Sequence, residues 1–342
     1  MKKKMLVFDF KSSEESFFEI NKFDDFEILF FEQTLNQSTL EQFSSDEIES
    51  AEIISVFITS SVDKEVLDRF KNLKIISARS TGYNHIDLEE SKKRGIAVVN
   101  VSSYGERTVA QYTFGLLITL VRKIIPAFLD MKKLENNSQN YVGRDLNSMT
   151  IGIIGTGAIG SMLCKAANDV DMKILAFDLF PKDEIKSKYN VEYVDLETLL
   201  KNSDVVTLHL PATATDYHMI SEKELAMMKD TAYLINTSRG ELVDTAALYQ
   251  ALVDKKIQGA ALDVGECENF SFDMSHFIEK IPETTSNCLA KALVTQKLIE
   301  LPNVIVTPHI AYNTEEAVKT ILETTFKNIE DFYQGIKTNR IV

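Results

Sequence analysis

Thr150-Ile-Gly-Ile-Ile-Gly-Thr-Gly-Ala-Ile-Gly160 lies near the middle of the chain and is followed by Ala176-Phe-Asp178. Ile151, Ile153 and Ile154 form a β-branched run that stops at Gly155, and Ala158 to Val170 continues with helical spacing. The glycines therefore sit where a strand turns into a helix. That context makes a G-x-G-x-x-G pattern read as a dinucleotide site rather than a chance glycine loop. Gly155 permits the tight turn, Gly157 lets backbone N–H groups approach a pyrophosphate, and Gly160 allows close helix–strand packing. The helix that opens at Ala158 and Ile159 adds its positive dipole end. A second strand, Lys173 to Phe177, then delivers Asp178, whose carboxylate accepts hydrogen bonds from ribose hydroxyls and repels a 2′-phosphate. NAD is expected over NADP.

The chain has 342 residues, 44% of them hydrophobic, which suits two domains with real cores. A net charge of −14 argues against nucleic acid or an anionic membrane as a partner. A small anionic substrate would then need a local positive group. Cys164, Cys267 and Cys288 make no plausible disulfide framework and fit a reducing cytoplasm. Cys164 reads as core in the helix after the glycine loop, and Cys267 as structural or incidental. Asp9 and Lys11 cut the first apolar run short, so Met5–Phe10 reads as a strand and not a leader. Val109 to Val121 is interrupted by Gln111, Thr113 and Gly115 and reads as a buried crossover helix.

Working outward from the loop, strands are expected at Met5–Phe10, Phe26–Phe31, Ile53–Thr59, Leu73–Ala78 and Ile96–Asn100. Helices such as Asp63–Phe70 and Asp87–Arg94 alternate with them. After a long helix at Glu106–Ile125 come strands at Thr150–Ile154, Lys173–Phe177, Val205–His209, Ala232–Asn236, Gly259–Val264 and Val304–Thr307, and a closing helix at Thr314–Tyr333. Such alternation implies parallel, doubly wound sheets. The first strand has no glycine loop, so the N-terminal unit shares the architecture without the nucleotide site. Asn269 to Ala292 lacks clear periodicity and reads as an insertion or mobile arm.

Ligands of open α/β sheets bind beyond the carboxyl ends of the strands. The residues to inspect there are His209, Arg239, Glu268 and His309. Hydride transfer between NAD and a carbonyl carbon needs a proton donor or acceptor for the oxygen and a cation to orient a charged substrate. His309, in Val306-Thr-Pro-His-Ile-Ala-Tyr312, follows a strand end, where an imidazole reaches a ligand. Glu268 would hold that ring and stabilise its imidazolium, and Arg239, in Ile235-Asn-Thr-Ser-Arg-Gly240, offers a planar fork for a carboxylate. Taken singly, each has an ordinary structural or surface reading; the case rests on all three following strands of one nucleotide domain. His209 would line the nicotinamide pocket without taking the proton, while His85, His218 and His276 lack the combination. No His, Cys or carboxylate grouping has metal-ligand spacing.

Gly155-Thr-Gly-Ala-Ile-Gly160, Asn236-Thr-Ser-Arg-Gly240, Ala261-Leu-Asp-Val264 and Thr307-Pro-His-Ile-Ala311 together resemble the D-isomer-specific 2-hydroxyacid dehydrogenase family, over nearly the whole chain. The resemblance implies an α/β protein of two Rossmann-like doubly wound parallel-sheet domains that acts as a homodimer. A discontinuous substrate domain would span 1–103 and 309–342, and an NAD-binding domain 104–308. It further implies that Arg239, Glu268 and His309 are catalytic, and that Asp178 and Asp263 contact the adenosine ribose and the nicotinamide end. Cofactor contacts would come from the glycine loop with Ala158 and Ile159, and from His209, Leu210, Pro211, Thr237, Ser238 and Arg239. Ser80-Thr-Gly-Tyr-Asn-His-Ile-Asp87 resembles the family's carboxylate-holding loop, making Thr81 and Gly82 substrate candidates, since spare amides near a glycine form an anion nest.

Tyr104 and Tyr312 stand where the D-lactate dehydrogenase branch has aromatic residues, which favours pyruvate. Packing at an interdomain hinge is the equal alternative for both. Gly265 stands where relatives usually have a bulky residue, Asn269 replaces a frequent proline, and the span from Glu268 to His309 is longer than usual. Glyoxylate, hydroxypyruvate or a longer 2-oxo acid therefore stays open. Two rivals are an NAD(H)-sensing corepressor-like binding protein and, within the same family, an enzyme that oxidises phosphite or another non-carbon anion with NAD.

Overall fold

The β-branched and apolar runs fold into strands that pair in parallel throughout, as seen in a computed structural model that describes residues 2–21, 23–134, 141–213, 215–268 and 285–342. The chain divides into two compact units, Met1–Tyr104 with Asn313–Val342, and Gly105–Tyr312.

In the first unit β1 (Lys3–Val7), β2 (Phe26–Phe30), β3 (Ile53–Val56), β4 (Ile75–Ala78) and β5 (Ala97–Val99) form a sheet of order β2-β1-β3-β4-β5. Alternate residues bury opposite faces. Leu6, Ile54, Ile76 and Val98 enter one core with Phe8, Leu35 and Phe43, while Met5, Val7, Ile53, Ile75 and Val99 pack on Phe326 and Ile329 of the helix Glu315–Tyr333. Burial on both faces explains why these strands read as unbroken apolar runs. Thr314 caps that helix through the Ala317 amide. Asp87 likewise caps Leu88–Lys93, which stops before Gly95 at a φ of +70°.

In the second unit β6 (Thr150–Ile154), β7 (Lys173–Phe177), β8 (Val191–Tyr193), β9 (Val205–Leu208), β10 (Tyr233–Asn236), β11 (Gly259–Leu262) and β12 (Val304–Val306) take the order β12-β11-β10-β9-β6-β7-β8. The chain steps outward from β6 in one direction, then returns to its other side at β9. That switch point lies where the glycine loop ends β6, the usual ligand crevice of such sheets.

Several expectations need correction. The helix expected at Glu106–Ile125 stops at Val121, because Lys123 adopts a left-handed conformation (φ 51°) before a second helix, Ile124–Lys132. Strand β8, with Glu192 and Tyr193 among its three residues, carried no apolar run to announce it. Asn269–Ala292 is not aperiodic throughout: a helix spans Thr285–Ile299, while the rest of that expectation lies outside the described residues. The return to the first unit comes at Asn313 and not at residue 309, because Asp263 holds the Ile310 and Ala311 amides against the second sheet.

Candidate active site at the carboxyl edge of the second sheet

Strand register lines up the chemistry. Ile154 lies opposite Phe177 and Leu208, Leu208 opposite Asn236, Asn236 opposite Leu262, and Leu262 opposite Val306. The residues that follow, Gly155, Asp178, His209, Thr237, Asp263 and Thr307, therefore stand in one row along the edge of the sheet.

The glycine loop separates two demands. Gly155 has a φ of +92°, and a Cβ there would come 2.6 Å from the His209 carbonyl oxygen, so both backbone and packing require glycine. A Cβ on Gly160 would fall on the Gly155 carbonyl, 3.0 Å from its carbon and closer still to its oxygen. Gly157 is different: its φ is −64° and, among the described residues, a Cβ would meet no atom within 4 Å. No described residue demands glycine there, which fits a pyrophosphate seated against the exposed N-terminus of the helix Ala158–Asn168.

Asp178 closes the other side of the loop. It accepts from the Thr156 amide (2.6 Å), the Thr156 hydroxyl (2.8 Å) and the Phe180 amide (2.8 Å). Burial pushes its carboxyl up, yet these donors, with Lys182 nearby, outweigh that and hold it below the ordinary range. A fixed, ionised carboxylate at this position suits ribose hydroxyls and disfavours a 2′-phosphate. Lys182, which donates to the Thr156 carbonyl at 3.2 Å, was not foreseen; it follows Pro181 in a segment without periodicity.

His209 sits beside Gly155, its Nε2 3.0 Å from the Thr207 hydroxyl and its Nδ1 without a partner among the described residues. Burial lowers its pKa to about 3, so this imidazole is neutral and is no proton donor. Leu210 is half-buried against Gly155, and Pro211 is exposed. Thr237 bonds the Thr113 hydroxyl at 2.7 Å from the helix Glu106–Val121.

Arg239 is carried by a built turn. Asn236 accepts the Ser238 amide (3.0 Å) and donates to the Arg239 carbonyl (2.7 Å), so its buried side chain sets the backbone that presents the arginine. The guanidinium donates to the Ser238 carbonyl (2.6 Å) and, among the described residues, forms no ion pair. Gly240 has no Cβ because the backbone of Gly265 and Glu266 occupies that space. This contact brings the arginine turn against the segment that carries Glu268.

His309 is the second anchor. Its Nδ1 lies 2.7 Å from Glu268 Oε2, and Glu268 Oε1 accepts the Gly265 amide at 3.3 Å. Both side chains keep partial exposure, 22% and 28%. The carboxylate selects the tautomer in which Nδ1 carries a proton, leaving Nε2 for chemistry. His309 adopts φ 52°, a left-handed conformation that a side chain tolerates only when its surroundings hold it. Asp263 supplies that hold: fully buried, it accepts from the Thr307 hydroxyl (2.6 Å) and the Ile310 (3.0 Å) and Ala311 (2.8 Å) amides, and its carbonyl accepts the His309 amide. Burial keeps its carboxyl above the ordinary range despite those donors. As placed, Asp263 shapes the histidine turn. Tyr312 is buried with its ring 6.4 Å from that of His309.

In the first unit Thr81 is exposed and donates to the Val101 carbonyl (3.0 Å), and the Gly82 carbonyl accepts the Ser80 hydroxyl (2.6 Å). Tyr104 is half-buried.

Sequence reasoning missed two further features. Glu266, two residues before Glu268, turns inward to accept from Lys291 (2.6 Å), the Thr245 hydroxyl (2.7 Å) and His218 (2.9 Å), which offset its burial and keep it ionised. The expectation that the cysteines stay unpaired is overturned: Cys267 and Cys288 form a disulfide with Cα atoms 5.5 Å apart. A spacing of 21 residues across an aperiodic segment gave no sign of it, and the ground for inferring a reducing compartment goes with it. Cys164 is a buried free thiol. Among the described residues no cluster could hold a metal, and no helix is long and apolar enough to cross a membrane.

A glycine loop that leaves room for pyrophosphate, an ionised acid for ribose and a carboxylate-held imidazole on one sheet edge define an NAD-dependent oxidoreductase acting on CH–OH groups. Residues 114–311 match the family described as D-isomer specific 2-hydroxyacid dehydrogenase, NAD binding domain. The 2-hydroxyacid dehydrogenase homolog 1 of Schizosaccharomyces pombe is 37% identical over 93% of this chain and 92% of its own. The glyoxylate reductase of Thermococcus litoralis is 39% identical over 81% of this chain and 79% of its own. Among solved structures, the D-lactate dehydrogenase of Aquifex aeolicus complexed with NAD and lactic acid superposes with a TM-score of 0.87 at 35% identity, covering 99% of both chains. The chain belongs to the D-isomer-specific 2-hydroxyacid dehydrogenase family.

Proposed function

We propose that this enzyme reduces a small 2-oxo acid with NADH, pyruvate to D-lactate before others. The observation that carries the reading is the His309–Glu268 bond at the sheet edge that also presents Arg239. Bound NADH supplies the hydride. Arg239 clamps the carboxylate and polarises the keto oxygen; His309, oriented by Glu268, gives that oxygen its proton. Pyruvate is favoured by the likeness to the lactic acid complex over nearly the full chain. Glyoxylate is the second reading, supported by the reductase that is 39% identical. A panel of 2-oxo acids with NADH and NADPH, with the chirality of each product determined, tests both. Absence of any 2-oxo acid reduction would sink the reading, and an L product would sink the stereochemical part.

We also propose a cytoplasmic homodimer, as expected for an enzyme drawing on the NAD pool. The helix Ile124–Lys132 leaves Ile124, Phe128, Leu129 and Met131 about half exposed, an apolar face suited to a second copy. Sedimentation should give a dimer, and Phe128→Asp a monomer; a monomeric wild type would refute this.

A further inference from the structure

The disulfide is the one covalent link beside the acid–base pair. Cys267 immediately precedes Glu268 and adopts φ 53°, a left-handed conformation that persists in a residue with a side chain only when neighbours fix it. A single helix, Thr285–Ile299, provides the fixing. Cys288 and Lys291, three positions apart and so on one face, bind Cys267 and Glu266 in turn, through the bridge and a 2.6 Å ion pair. Ala292 and Leu298, fully buried, seat the helix against its neighbours. Glu266 has further anchors in Thr245 and His218 and would keep its place with the bridge open. Cys267 has the bridge. The bonds of Glu268 to His309 and to the Gly265 amide both depend on the turn that Cys267 completes.

We propose that Cys267 and Cys288 are positioning residues for the Glu268–His309 pair, and that opening their bridge by thiol exchange lowers turnover. The inference rests on the proton-transfer reading of His309. In the opening step a thiolate of a small dithiol attacks one bridge sulfur, the S–S bond breaks, and the departing cysteine thiolate takes a proton. The reagent's second thiolate then attacks the mixed disulfide and releases the other cysteine. Two electrons pass from the reagent to the bridge, and the reagent leaves as its own disulfide. A small-molecule disulfide reverses the sequence. Both cysteines are half-buried and within reach of such reagents. Cys164 does not compete, since burial pushes its thiol up to about 12.

The test measures kcat, its pH profile and NADH affinity on the air-oxidised enzyme, after a dithiol reductant, and after reoxidation with a small disulfide, with Cys288→Ser and Glu268→Gln alongside. Reduction and Cys288→Ser should each lower kcat about tenfold, within the roughly hundredfold that a 1 Å misplacement costs. NADH affinity should stay within about twofold, and the pH profile should approach that of Glu268→Gln, because only a positioning role acts through that carboxylate. Glu268→Gln should itself be indifferent to reductant, and reoxidation should restore wild-type turnover. Unchanged kcat and pH profile after full reduction, both cysteines alkylated without reductant, or a further loss on reducing Glu268→Gln would each overturn the proposal. If Glu268→Gln is impaired while reduction is silent, the bridge inference alone fails. If the oxidised enzyme reduces no 2-oxo acid, the functional reading fails with it.

Discussion

Gly157 and Gly160 share one loop, yet the structure assigns them to different tasks, and alanine at each should separate cofactor binding from folding. At Gly160 the added methyl would land on the Gly155 carbonyl, which is backbone and cannot rotate away. The helix Ala158–Asn168 must then lift from β6, an overpacking that costs about 1–3 kcal/mol. For a unit of this size each kcal/mol lowers Tm by about 2–4 °C, so the apo protein should melt about 2–12 °C lower. At Gly157 the methyl meets nothing and the φ of −64° suits alanine, so apo stability should hold or rise by up to about 1 kcal/mol through the stiffer unfolded chain. The same methyl would stand where the pyrophosphate approaches. Loss of one charge-assisted hydrogen bond, about 1.5–3 kcal/mol, weakens NADH about 10- to 150-fold. Scanning calorimetry of both variants without nucleotide, followed by NADH titration, reads both effects. If Gly157→Ala melts as low as Gly160→Ala, or binds NADH normally, the assignment of Gly157 to the cofactor is wrong.

Arg239→Lys should lower kcat/KM for 2-oxo acids about 10- to 150-fold, because an ammonium makes one charge-assisted bond where the fork makes two; unchanged kinetics would remove Arg239 from the substrate site. Asp178→Ala should narrow the preference for NADH over NADPH about tenfold or more, since 1.4 kcal/mol of relieved repulsion suffices for that; an undiminished ratio of the two kcat/KM values would show that another group excludes the 2′-phosphate. Asp204 gives a pH prediction. Burial pushes its carboxyl up, but the Thr150 amide, Arg144 and Lys229 outweigh that and leave it lowered in the fold. A lowered folded-state pKa stabilises above the unfolded value near 3.9 and loses that effect as pH falls through the folded one. Asp204→Asn should therefore be less stable than wild type at pH 7 in urea unfolding, the gap closing as pH drops below about 4; a constant gap would place its cause in packing and not in charge.

What could be read in advance follows from where the physics is local. A β-branched run ending in glycine, or an Asp at the start of a helical period, is decided within a few residues, so β6, the glycine loop and the helix that opens at Asp87 were legible. Strand register then carried Arg239 and His309 to the same edge, since each follows a parallel strand in step with β6. The segment Gly265-Glu-Cys-Glu268 is the contrary case. Its two glutamates have near-identical surroundings along the chain. Which of them faces His309 is settled by partners far away in sequence: Gly240, whose missing Cβ admits the Gly265 backbone, and Lys291 and Cys288, which draw Glu266 and Cys267 toward one helix. With residue 266 drawn inward and the backbone at 267 turned left-handed, Glu268 is left at the imidazole. The orientation of the acid–base pair is thus a property of tertiary packing: Glu268 was legible as the holder of the His309 ring, but the helix and the bridge that seat it there were not, because neither periodicity nor cysteine spacing announced them.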